Sequence, residues 1–90
     1  MVYLLIKQTI SDYTSWKNAF DRFTEYRRIG GELSCEIYQT EKKNNEFIIL
    51  SQWNSIENAR EFLKSQSFQM IKELEEKEPT IQLMHTKAAG

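Results

Sequence analysis

The chain has 90 residues, of which 40% are hydrophobic, 12% aromatic and 28% charged, with a formal net charge of −1. This balance excludes a mainly disordered chain, and the length fits one domain, residues 1–90, whose small core would gain from a partner subunit. Near-neutrality removes any sequence-wide attraction to nucleic acid or to an anionic membrane, so neither is expected as a partner.

Cys35 is the only cysteine, which leaves no intrachain disulfide and no thiolate zinc cluster, and points to a reducing, cytoplasmic setting. The opening MVYLLIKQ is too short for a membrane span and lacks the basic start and cleavage site of a signal peptide. It reads as the start of a strand over Val2 to Thr9. Val2, Leu4 and Ile6 alternate with Tyr3 and Leu5, so the strand is apolar on both faces and is expected to be covered on both.

Ser11 or Asp12 offers an N-cap for a helix over Tyr13 to Arg28, which places Trp16, Ala19, Phe20 and Phe23 at helical spacing. Gly30 and Gly31 end it. Leu33 to Thr40 alternates Leu33, Cys35 and Ile37 against Ser34, Glu36 and Tyr38. The polar run Glu41 to Asn45 then turns the chain into a strand from Glu46 to Trp53, completing a hairpin. At Asn54 the period changes from strand to helix, with Asn54 as N-cap and Glu57 closing a capping box.

A helix over Ser55 to Lys64 should bury Ala59, Phe62 and Leu63. A second, over Phe68 to Glu76 and capped by Ser65 or Ser67, should bury Ile71 and Leu74. Pro79 stops the helical pattern. Ile81 to Lys87 alternates again as a last strand, with Ile81, Leu83 and His85 on one face, and Ala88 to Gly90 form a frayed tail. The order strand, helix, strand, strand, helix, strand is that of a split βαβ, ferredoxin-like α+β domain, with both helical segments on one face of a four-stranded antiparallel sheet. Its second face is too apolar to be left wet, so self-association is the direct inference.

The segment Asp12 to Lys17 leading to Phe20, the pair Gly31 and Ser34, the passage Ile48 to Ser55, and then Glu57, Ala59, Phe62, Leu63 and Ser65 resemble the dimeric α+β-barrel superfamily, and within it the proteins grouped with antibiotic-biosynthesis monooxygenases. The resemblance spans nearly the whole chain and is carried mostly by structural positions. It implies a homodimer whose two sheets close into a barrel, with a ligand cavity between sheet and helices in each subunit. It also implies activities such as cofactor-free oxygenation of phenolic compounds, haem degradation or isomerisation. Family enzymes often carry a histidine in the helix after the third strand. The matching positions here look like Phe62 and Ser67, neither of which is an imidazole base.

His85 is the only histidine, and so the candidate catalytic base; its plainer reading is a hydrogen-bonded side chain near the end of a strand. Trp53 could stack on an aromatic ligand. Trp16 and Phe62 could wall a cavity, although aromatics at helical spacing are more often core. Tyr3 and Tyr38 are polar-tipped residues of the kind that orient small molecules in apolar pockets, and they equally suit an interface. Arg27 and Arg28 read as last-turn cations favoured by the helix dipole, Glu73 and Lys77 as an i,i+4 pair, and Cys35 as a buried, inert thiol. No phosphate loop or RNA-binding motif is present, since Gly30 and Gly31 follow a helix and do not open one. The expectation is a homodimer that binds a small aromatic or hydrophobic metabolite and, if an enzyme, oxidises or isomerises it with no bound cofactor and no metal. The alternative is a non-catalytic dimeric module for ligand sensing or assembly.

Overall fold

The computed structural model describes residues 1–74 and 77–87. Along the chain come β1 (Val2–Thr9), α1 (Tyr13–Arg22), α2 (Thr24–Ile29), β2 (Glu32–Gln39), β3 (Glu46–Trp53), α3 (Ile56–Lys64), α4 (Gln66–Lys72) and β4 (Thr80–His85). The strands form one antiparallel sheet in the order β2-β3-β1-β4. This is the ferredoxin-like α+β arrangement expected from the order of elements.

Strand alternation divides the sheet into two faces. Val2, Leu4 and Ile6 of β1 and Phe47, Ile49 and Trp53 of β3 are buried beneath the helices, against Trp16 and Phe20 of α1, Ala59 and Phe62 of α3, and Phe68 and Ile71 of α4. The other face carries Tyr3, Leu5, Ile48 and Leu50, all only half-buried in the single chain. On β2 the expected phase slips. A bulge between Glu32 and Ser34 turns Glu32 inward and leaves Leu33 57% exposed, although alternation with Cys35 and Ile37 placed it inside.

The helices differ from expectation at their ends. The first helical pattern breaks in two at Phe23 (φ −99°, ψ 13°), where the Thr24 hydroxyl donates to the Asp21 carbonyl at 2.8 Å and competes with the helical ladder. The N-cap of α3 is Ser55, whose Oγ accepts from the Asn58 N–H at 3.1 Å, and not Asn54. This puts Glu57 one position too early for a capping box. Ser65 separates α3 from α4: its Oγ accepts from the Phe68 N–H and donates to the Phe62 carbonyl. Because α4 ends at Lys72, Leu74 lies beyond it and is 51% exposed, and Lys72 pairs with Glu78 where a Glu73–Lys77 pair was expected. The expected continuation through Glu75 and Glu76 and the tail Ala88 to Gly90 lie outside the described residues.

Asp12 caps α1, accepting from both the Ser15 N–H and the Ser15 hydroxyl. These bonds favour the carboxylate and hold its pKa below the ordinary 3.8. A lowered folded-state pKa gives stability that is present above the unfolded value and is lost as pH falls below 3.8 through the folded value. Asp12→Asn, which keeps a capping oxygen, should therefore flatten the acid limb of the stability curve without removing the helix. Urea midpoints measured from pH 2 to pH 6 check this.

Candidate functional site

The passage from β3 into α3 builds the site. Trp53, 1% exposed, ends β3 with its side chain under the helices, and its indole N–H donates to the Ser51 hydroxyl at 2.8 Å, which fixes the ring. The Ser55 cap starts α3 so that Phe62, two turns on, lands over Trp53 with ring centroids 5.3 Å apart and planes 30° apart. The Asn54 N–H donates to the Gly31 carbonyl at 3.0 Å, which draws the end of α2 beside α3. That approach needs glycine: Gly31 has φ +119°, and a Cβ there would lie 2.5 Å from the Asn54 Oδ1.

Between α2 and α3 these contacts leave a cleft of about 350 Å³, with Trp53 and Phe62 in its lining and Tyr26 and Ile29, 53% and 86% exposed, at its open side. Glu61 and Lys64 of α3 and the Tyr26 hydroxyl line it too, and none of these three polar groups has a hydrogen-bond or ion-pair partner among the described residues. An apolar interior with a few unspent polar groups at the rim is the pattern of a small-molecule site.

A second cavity, of about 460 Å³, lies on the other side of α2, against α1 and β2. Its charges are already spent: Lys17 pairs with Asp21 at 2.7 Å, Arg28 with Glu25 at 3.0 Å and Arg27 with Glu32 at 3.1 Å. Cys35 lines it, half-buried, with burial pushing the thiol up to about 11, so it is not a ready nucleophile near neutral pH.

No family model matches the chain, and no curated protein matches it. Solved structures do. One described as an antibiotic biosynthesis monooxygenase superposes with a TM-score of 0.74 over 98% of this chain and 100% of the other, at 14% identity. A conserved protein from Methanosarcina mazei gives a TM-score of 0.77 over 96% of this chain and 92% of that one, at 16% identity. SnoaB, a cofactor-independent oxygenase from Streptomyces nogalater, gives 0.75 over 98% and 94%, at 14% identity. The chain shares the ferredoxin-like α+β fold of these structures.

On that fold the residues singled out in the sequence fall in four places. Trp53 and Phe62 meet in the cleft. Trp16, 2% exposed, stacks on Phe20 at 4.8 Å within the core and does not line the cleft. Tyr3 and Tyr38 lie on the opposite sheet face, where the Tyr38 hydroxyl donates to Glu36 and its pKa is raised by that bond and by the carboxylate's charge. His85 ends β4, exposed, opposite Val2, which in turn pairs with Trp53. His85 and Trp53 therefore share one row on the helix side of the sheet, with Cα atoms about 10 Å apart at two strand spacings.

Periodicity missed Arg27. It is 3% exposed; its Nε donates to Glu32 at 3.1 Å and its Nη1 to the Phe20 carbonyl at 2.6 Å, with the guanidinium 3.8 Å over the Phe20 ring. Burial outweighs the attraction of Arg27 and holds the Glu32 carboxyl above the usual glutamate range. The only hint in the sequence is an acid five residues beyond an arginine across a Gly-Gly turn.

Proposed function

We propose that this protein is a homodimeric α+β barrel that binds a small aromatic or hydrophobic molecule in the cleft of each chain. The observation that carries the reading is the Trp53–Phe62 stack in the lining of a cleft whose rim groups Tyr26, Glu61 and Lys64 have no partner among the described residues. A flat ring would pack on the two aromatics while its substituents met the rim. The half-buried face of Tyr3, Leu5, Ile48 and Leu50 supports pairing with a second copy.

Likeness to a cofactor-independent oxygenase extends the reading to oxidation of the bound molecule by dioxygen, with no bound cofactor. His85, two strands from Trp53 on the helix side of the sheet, would be the general base for a ligand long enough to reach past the cleft to β4. A non-catalytic, ligand-sensing role is the second reading. It is favoured by one observation: His85 lines none of the cavities described above.

Thermal unfolding against a panel of phenols, quinones, polycyclic aromatics and haem tests the binding step. A ligand of the folded state adds about 2.7 kcal/mol at a hundredfold excess over its dissociation constant. Trp53→Phe should weaken the shift, and no shift across the panel removes the reading. For any molecule that binds and is turned over, His85→Ala should abolish turnover and leave the thermal shift in place. Unchanged turnover would remove His85 from the chemistry.

A further inference from the structure

Three features could carry a function beyond binding in the cleft. The buried Trp16 Nε1 and Gln8 Nε2 have no hydrogen-bond partner among the described residues, but neither side chain lines the cleft or the second cavity. Cys35 is a lone, deactivated thiol. Helix α2 is different. Its six residues contribute a single buried side chain, and that side chain is Arg27, whereas α1 buries Trp16 and Phe20 and α3 buries Ala59 and Phe62. Apolar burial holds the other helices. Helix α2 is held by polar contacts: one guanidinium meets Glu32, the Phe20 carbonyl and the Phe20 ring, and just past the helix end the Gly31 carbonyl accepts from the Asn54 N–H.

Arg27 also lines both cavities, the cleft of about 350 Å³ and the neighbouring one of about 460 Å³ on the other side of α2. Both ends of α2 are joints: the backbone leaves the helical region at Phe23, and Gly30-Gly31 follows the other end, with Gly31 at φ +119°. We propose that α2 is a lid over one continuous ligand cavity, and that Arg27, latched to Glu32 and the Phe20 carbonyl, is the gate that divides it. With the latch closed, a ligand is confined to the Trp53–Phe62 side. With α2 lifted, the guanidinium reaches water, the two cavities join, and molecules too long for the cleft can enter. The size selection rests on the proposed binding reading; the lid itself does not.

The test is Glu32→Gln, which leaves an acceptor for Arg27 but removes the counter-charge. On a fixed α2 the guanidinium would stay buried without its partner charge, a severe defect that should lower Tm by about 15 °C or more. A lid limits the loss, because α2 can undock. Tm should then fall by no more than about 5 °C, while native-state tryptic cleavage after Arg27 and Arg28 accelerates at least about tenfold and cleavage after Arg60 and Lys64 of α3 does not change. Equal acceleration at all four sites, or none, overturns the proposal. If Glu32→Gln does not fold, that outcome also overturns it, and amide exchange of the unaltered protein gives an independent reading. The α2 amides should exchange through an opening that leaves α1 and β3 protected; exchange only with global unfolding excludes a lid. Fluorescence of anilinonaphthalene sulfonate with both forms separates the two ideas. No binding to either form removes the ligand reading and leaves the cleavage result to decide the lid.

Discussion

Replacing Trp53 by alanine is expected to cost about 3–5 kcal/mol of folding stability, a large part of the 5–15 kcal/mol that holds a typical domain together. Trp53 lies in a row that crosses all four strands, from Glu32 through Trp53 and Val2 to His85. It stacks on Phe62, which in turn packs at 5.3 Å on Phe68, so removing the indole opens a void shared by β3, α3 and α4. It also strips Ser51, 3% exposed, of the N–H it accepts. Trp53→Phe retains a ring over Phe62 and loses mainly that hydrogen bond and some volume, so it should cost about 1–2 kcal/mol. Equilibrium urea unfolding separates the two variants. An alanine variant within about 1 kcal/mol of the parent would show that Trp53 does not anchor the junction, and the cleft built on it would lose its support.

The fold was legible because its signals are local and repeated. Alternation in Val2 to Thr9 and Glu46 to Trp53, Asp12 ahead of an aromatic stripe, and the Gly30-Gly31 stop each specify an element without knowledge of its neighbours. Element ends were less so, because competing partners decide them. Ser55 and Asn54 are both good caps, and Ser55 takes the role because the Asn54 side-chain oxygen accepts from the Asn58 amide at 2.8 Å while its backbone N–H is held by the Gly31 carbonyl, 23 positions away. Leu33 is exposed because of a bulge that pattern alone cannot locate. Of the residues that line the cleft, Trp53 was legible as an aromatic at a strand end and Phe62 as an inward-facing aromatic of the next helix. The face occupied by His85 was not, because β4 is an edge strand with apolar residues of mixed exposure, and only its register with Val2 fixes the phase. Arg27 does lie in the last turn of α2, as expected, but its burial and its pairing with Glu32 were not legible, because they depend on the return of β2 beside the helix.

Leu5→Glu is expected to turn the proposed dimer into a monomer with its fold intact. In register Leu5 stands between Leu50 of β3 and Gln82 of β4, at the centre of the face that the helices leave open. Neither neighbour is charged, so in the single chain the new carboxylate would reach water from a half-buried position at modest cost. In a barrel closed by two sheets the same carboxylate would be buried without a partner, once from each copy, because a two-fold interface repeats every defect. Two uncompensated burials of about 2 kcal/mol each weaken dimerisation by about a thousandfold. Sedimentation should then show the 10.7 kDa chain in place of twice that mass, and Tm should cease to rise with protein concentration. If the parent protein is already monomeric at tens of micromolar, or the variant remains a dimer, the open face is not the contact. Its apolar residues would then need another cover. A cleft that kept its ligand shift in the monomer would place the binding site within one chain, whereas a lost shift would make closure of the barrel a condition for binding.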